Sequence, residues 1–273
     1  MKKVVRNTLN LLYKLGFKKI ILKISKNKNL SDKIIKYFWE KGGYEHYKKL
    51  YLHYRDLLRK NNLSLKNKKI LEIGSGDSIG AGYFFANEKY ANWTGSDINR
   101  TPNNENLIIR QINEMDMIYP NLNKTKFVKM DICKHSARFN NKFDLILSNA
   151  VLEHISKSKI DLAIKNMYLY LKKGGIMIHE IDLRDHFNLK DPFDFYRYSE
   201  KEWEKLTRGS IFYTNRLRSS DFARIFIRNH FRIVSRDIFQ KKNLPKNINS
   251  ELKKYQKEDL LDTSVVLVLK KIR

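Results

Sequence analysis

The stretch Lys69-Ile-Leu-Glu-Ile-Gly-Ser-Gly-Asp-Ser-Ile-Gly80 decides how the rest of the chain is read. Its apolar run, Lys69–Ile73, suits a buried strand, and Gly74 and Gly76 follow at once. Glycine reaches positive φ without a Cβ penalty and lets backbone approach a bound molecule closely. Open α/β sheets take their ligands at such a turn, at the carboxyl end of the first strand. Twenty-one residues beyond Gly76, Asp97 closes a second apolar run, Trp93–Ser96. An acid there is placed to accept both hydroxyls of a ribose. The dinucleotide fingerprint Gly-x-Gly-x-x-Gly is excluded, because Ile79 stands at its third glycine and Glu72 is an unusual acid before its first.

Working outward, the short apolar runs Phe127–Met130, Phe143–Leu147 and Gly175–Ile178 alternate with segments that suit helices. Such alternation predicts a parallel sheet with crossover helices. Phe231–Val234 and Ser264–Leu269 are two later strand candidates. Residues 1–64 read as a basic helical extension, broken at Gly42–Gly43, ahead of an α/β domain over 65–273. The polar-aromatic stretch 182–220 is too long for an ordinary connection, which points to a functional insert. Inside it, Ser199 and Glu202 have the spacing of a helix capping box.

Taken in order, these motifs resemble the class I S-adenosylmethionine-dependent methyltransferases over roughly Lys68 to Lys270. Glu72, Gly74 and Gly76 match that family's acid-x-Gly-x-Gly loop, and Asp97 matches its ribose acid. Asp131, in Val128-Lys-Met-Asp-Ile132, matches the acid that meets the adenine amino group. Phe143-Asp-Leu-Ile-Leu-Ser-Asn-Ala-Val-Leu-Glu-His154 matches the fourth strand and its turn, and Leu171-Lys-Lys-Gly-Gly-Ile176 the approach to the fifth. The resemblance implies a Rossmann-like, doubly wound α/β sheet of seven strands with the last antiparallel, and a lid insert after strand five. It also implies S-adenosylmethionine as cofactor, held by Glu72, Gly74, Ser75, Gly76, Asp97 and Ile98. Asp131, Ile132, Ser148 and Asn149 would complete that site. Ser78 departs from the pattern, since many members carry a third glycine there.

Methyl transfer from a sulfonium is an in-line displacement, so the protein must align the acceptor and remove a proton from a hydroxyl. Histidine is the natural base near neutral pH. His154, after strand four, and His179, expected at the end of strand five, are the two candidates. Tyr44, Tyr47, His186, Arg216 and Arg218 are expected against the acceptor, the arginines as a clamp for a diphosphate or carboxylate. Asp182, Asp185 and His186 also resemble a hard-cation cluster. A solvated loop whose Arg184 and Asp185 pair with neighbours is the preferred reading, so no metal is expected.

The marks of several nucleic-acid methylases are missing. Ser148-Asn-Ala-Val151 stands where amino-methylases of adenine carry Asn- or Asp-Pro-Pro-aromatic, and Cys133 does not follow proline. No lysine stands at the end of strand four, where a ribose 2′-O-methylase would carry one. Gly76-Asp-Ser-Ile-Gly80 and His179-Glu-Ile-Asp-Leu-Arg-Asp-His186 resemble methyltransferases encoded with bacterial surface-polysaccharide genes. The expected reaction is therefore O-methylation of a sugar or other small molecule in glycan biosynthesis, with a phosphorylated or lipid-linked acceptor among the options. An RNA methyltransferase and a non-catalytic cofactor-binding protein of the same fold remain alternatives.

Composition sets the frame. The chain has 273 residues, 42% hydrophobic and 31% charged, enough apolar material for a core and against disorder throughout. No apolar run approaches the ~18 residues of a membrane span, and lysines interrupt any secretory signal. A single cysteine fits a reducing compartment, so a cytoplasmic protein is expected. The net charge of +26 suits anionic partners, although Asn, Lys and Ile enrichment also follows from an AT-rich genome. Residues 1–30 carry nine basic side chains and no acid, with Leu9, Leu12, Tyr13, Phe17, Ile20, Ile21 and Ile24 at helical spacing. Such a helix either packs on the following domain or lies peripherally on the inner face of a membrane.

Overall fold

Successive strand side chains point to opposite faces, and that alternation divides the apolar residues here into two cores. The computed structural model describes Lys26 and residues 43–76, 78–87, 91–98, 105–116, 118–188, 191–210 and 212–272. The basic segment expected over 1–30 lies outside these residues, Lys26 apart. The described strands are β1 (Lys69–Ile73), β2 (Asn92–Asp97), β3 (Thr125–Lys129), β4 (Phe143–Asn149), β5 (Leu171–Asp182), β6 (Phe231–Gln240) and β7 (Asp262–Lys271). They form one sheet in the order β3-β2-β1-β4-β5-β7-β6. The first five pair in parallel, whereas β7 slots antiparallel between β5 and β6. All seven strand candidates of the sequence are present, with the last antiparallel as expected.

On one face, helix α1 (Tyr44–Lys60), α2 (Gly80–Asn87) and α3 (Glu105–Asp116) cover Ile70, Leu145, Leu147, Ile178, Val266 and Val268. On the other, α4 (Ile160–Tyr170) and α6 (Ser219–Arg228) cover Leu71, Ile146, Met177, Ile181, Leu267 and Leu269. The intervening helix α5 (Glu200–Thr207) belongs to the insert, and α7 (Lys257–Leu261) leads into β7. Phe222 and Phe226 of α6 are fully buried, each contributing roughly 1.5–3 kcal/mol.

The approach of α1 to α2 depends on Gly80. A Cβ there would lie 2.2 Å from the Tyr47 ring, so only glycine lets the tyrosine lie flat on the helix. Tyr44 and Tyr47 are consequently core residues, 4% exposed each. This corrects their expected place against the acceptor. No helix among the described residues is long and apolar enough to cross a membrane.

The insert after β5 has a core of its own, built from Phe193, Phe195, Tyr196, Trp203, Leu252 and Leu260. Helix α5 starts as its sequence predicts. Ser199 Oγ accepts the Glu202 N–H, and the Glu202 carboxylate accepts the Ser199 N–H at 2.8 Å. Such a cap satisfies donors that the first turn would otherwise leave open.

Candidate active site

The carboxyl ends of β1 to β4 open into one cavity of about 680 Å³, within the usual size range of a small-molecule site. Gly74 and Gly76 have φ of +72° and +66°, the left-handed region that favours glycine. The Gly74 and Ser75 N–H groups both donate to Ser96 O, at 2.7 and 3.0 Å, which ties the turn to β2. The Gly76 N–H donates to Asp97 Oδ2 at 3.2 Å. Ala150, at φ +51°, turns the chain sharply after β4 and brings Val151 over Gly74. A Cβ on Gly74 would lie 2.3 Å from Val151 Cγ2.

Of the residues expected to hold the cofactor, Gly74, Asp97, Ile98, Asp131 and Ile132 line this cavity. Asp131 Oδ1 also accepts the Cys133 N–H at 2.9 Å, which fixes the turn after β3. Two carboxylates stand among Ile73, Ile98, Met130, Ile132 and Val151. Acceptors for hydroxyl and amino groups beside apolar walls are what a nucleoside requires. The other five do not line it: Gly76 is exposed on the turn itself, and four side chains are buried or bonded elsewhere. Glu72 is buried and accepts the Trp93 indole N–H at 3.0 Å, bracing β1 against β2. Ser75 is buried beneath the turn, Ser148 bonds His179, and Asn149 donates to Glu180 Oε2 at 2.7 Å.

His154 ends the short turn Leu152–His154 and lines the cavity. Its Nδ1 lies 2.8 Å from Tyr213 O; a carbonyl only accepts, so Nδ1 carries the proton and Nε2 the lone pair. Solvent reaches the ring through the cavity mouth, yet the surrounding protein disfavours the charged form. That desolvation, helped by His186 alongside, lowers its pKa to about 4, so the imidazole is neutral at pH 7. His154 and His186 are neighbours, with ring centroids 4.8 Å apart.

His179 is elsewhere. Strand β5 continues to Asp182 because β7 pairs with it as far as Asp182↔Ser264, so His179 sits inside the strand. Its parity with Met177 and Ile181 turns it toward α6, where it is fully buried and stacks on Phe226 at 5.5 Å. Nδ1 lies 2.7 Å from Ser148 Oγ, and burial pushes the pKa down to about 3. The expectation of His179 as an acceptor-side base is corrected; it is a neutral core residue.

The arginines are corrected as well. Arg218 is 0% exposed, and its guanidinium donates to Asp259 O, Leu183 O and Asp262 O over the Tyr196 ring. Arg216 is 3% exposed, donates to Ser199 O and Tyr198 O, and packs between Phe195 and Trp203. Neither guanidinium lines the cavity. Both hold the insert together through carbonyls that no side chain in the sequence advertises.

In their place the insert contributes Glu204, Arg208, Gly209 and Tyr213 to the cavity lining, along with Ser156, Ser158 and Lys159 from the segment after β4. Asn215 is a further residue that sequence reading missed. Its N–H donates to Glu153 O at 2.7 Å, and its amide Nδ2 to Leu152 O and Ile155 O at 2.8 Å each. It therefore clamps the turn that presents His154. These bonds span some sixty positions, so no local pattern marks them. Of the expected trio Asp182, Asp185 and His186, His186 Nε2 lies 3.4 Å from Asp182 Oδ2, but the three do not converge on one point. Asp182 is gripped by Arg184 at 2.9 and 2.6 Å, and Asp185 Oδ1 accepts the Phe187 and Asn188 N–H groups.

The family model of the methyltransferase domain matches residues 44–236. A comparison with curated protein sequences finds no match. Among solved structures, a putative sarcosine dimethylglycine methyltransferase from Galdieria sulphuraria superposes with a TM-score of 0.52 at 13% identity. That alignment covers 82% of this chain and 85% of the other. A SAM-dependent methyltransferase from Methanosarcina mazei gives 0.51 at 18% identity, covering 79% of this chain and 97% of that one. At such identities the likeness shows the fold alone. The family match covers well over half the chain and includes the glycine turn, Asp97, Asp131 and His154, so the protein belongs to the methyltransferase-domain family.

Proposed function

We propose that this S-adenosylmethionine-dependent methyltransferase O-methylates a sugar or another small hydroxylated acceptor in glycan biosynthesis. The observation that carries the reading is His154, neutral and with Nε2 available, in the same cavity as Gly74, Asp97 and Asp131. The donor, when bound, supplies an electrophilic sulfonium methyl. Asp97 would accept the ribose hydroxyls and Asp131 the adenine amino group, while the turn at Gly74 leaves room for the donor. His154 Nε2 would take the proton of an acceptor hydroxyl as that oxygen receives the methyl and the sulfur departs as the thioether. Lys159 and Arg208 at the mouth suit a phosphorylated acceptor, and Ser156, Ser158 and Tyr213 suit its hydroxyls.

The test is transfer of labelled methyl from S-adenosylmethionine into extract of the source cells, with and without ribonuclease. Label in a ribonuclease-resistant glycolipid or nucleotide-sugar fraction supports the reading. Label that ribonuclease removes overturns it in favour of RNA, which the charge of +26 would then explain. Cofactor binding without transfer into any fraction would instead identify a non-catalytic relative. We further propose that the protein works in the cytoplasm and that basic residues 1–30 bring it to an anionic membrane surface. Vesicle flotation with and without that segment tests the membrane contact; equal partitioning refutes it.

A further inference from the structure

At the cavity wall, Glu153, His154 and His186 come together from two separate segments, one after β4 and one after β5. One ligand atom from each lies within 4.8 Å of the other two. Glu153 is 2% exposed, and its Oε2 has no hydrogen-bond partner among the described residues; Oε1 accepts the Asp182 N–H, at 3.3 Å. His186 Nε2 is also buried without a hydrogen bond and lies 3.4 Å from Asp182 Oδ2. Leaving a buried carboxylate oxygen without a partner beside that ring nitrogen is costly. Burial, reinforced by the Asp182 charge, holds the Glu153 carboxyl well above the usual carboxylate range. Asp182 and Glu180 add negative charge around it, countered by Arg184.

We propose that Glu153, His154 and His186 bind one divalent first-row transition ion, of the zinc class, on the acceptor side of the cavity. Two imidazole nitrogens with one carboxylate suit such an ion better than Mg²⁺ or Ca²⁺, which prefer all-oxygen sets. In a four-coordinate site, ligand atoms about 2.1 Å from a shared ion lie roughly 3.4 Å apart, so the three side chains must draw together by up to roughly 1.4 Å when the ion binds. The outer shell is already in place. His154 gives its Nδ1 proton to Tyr213 O, the second-shell bond that orients metal-ligating histidines. Three protein ligands leave a fourth position free, and His154 lines the cavity from which a hydroxyl would reach it.

The ion's role rests on the methyl-transfer reading; its binding does not. At the open position it would hold the acceptor oxygen and lower the hydroxyl pKa, releasing that proton to solvent. His154 would then act through the ion rather than by taking the proton itself. The products remain the methyl ether and S-adenosylhomocysteine.

The experiment is calorimetric titration of chelator-stripped full-length protein with Zn²⁺, and its visible spectrum with Co²⁺, without acceptor. The expected result is one Zn²⁺ per chain and Co²⁺ bands of low coordination number. His186→Ala and Glu153→Gln should each weaken Zn²⁺ binding at least tenfold, with S-adenosylmethionine affinity confirming that they fold. His135→Ala, at the exposed ring that meets Asn140, should leave binding unchanged. Absence of stoichiometric binding to the wild type overturns the proposal. So does binding that both ligand variants retain, or binding that Cys133→Ser removes, since that thiol also lines the cavity.

Discussion

Replacing His179 with asparagine separates its structural role from the catalytic one that sequence reading gave it. In the unfolded chain a histidine titrates near 6.5, whereas folded His179 is pushed down to about 3. Between these values the unfolded state binds the extra proton, so stability rises with pH and is lost as pH falls from about 6.5 toward 3. At pH 5 the folded ring is still neutral and the unfolded ring is almost fully charged. The linkage integral then gives a loss of about 2 kcal/mol relative to pH 7.5. That figure depends little on the folded value provided it stays well below 5. His154 adds a loss of the same sign, and Glu153, whose pKa is raised, an opposite one. Both are common to wild type and variant, so they cancel in the comparison. The assay is urea unfolding of His179→Asn and wild type at the two pH values. The wild type should lose about 2 kcal/mol more than the variant on acidification, and the variant should keep S-adenosylmethionine affinity. Equal losses would refute the burial argument, and abolished turnover in a stably folded variant would restore His179 to the chemistry.

Other substitutions probe the cavity itself. Asp97→Ala removes the charged acceptor expected at the ribose; cofactor affinity measured by calorimetry should fall by about 3 kcal/mol, roughly a hundredfold. Gly74→Ala forces an L side chain to φ +72° and into Val151. It should cost about 1–3 kcal/mol in chemical denaturation and weaken the cofactor, and adding Val151→Ala should recover only the steric part. Asn215→Ala frees the turn that carries His154. It should lower kcat for methyl transfer at least tenfold while the cofactor Kd moves by less than about threefold; an unchanged kcat would remove Asn215 as a positioning residue.

The motif order from Glu72 to Ile176 was legible because its signals are local. A strand period, glycines that must adopt positive φ, and an acid at a fixed distance all survive in one dimension. These signals correctly predicted the seven strands, and the resemblance the antiparallel last strand; the structure brings Gly74, Asp97, Asp131 and His154 to one cavity. The capping box at Ser199 belongs to the same class. What local pattern could not decide is which way a polar side chain faces once distant segments arrive. His179 looked like a strand-end histidine until β7 extended β5 to Asp182 and α6 covered it. Arg216 and Arg218 looked like substrate clamps until carbonyls from the Leu183 and Asp259–Asp262 segments occupied Arg218, and the Tyr198–Ser199 corner Arg216. Glu153 and Asn215 carried no signal at all. Hydrogen-bond demand in a buried site is met by whichever groups the fold brings within 3 Å. Local sequence signals thus account for the sheet and the glycine turn, whereas the packing of distant segments sets which charged groups line the cavity and which hold the insert together.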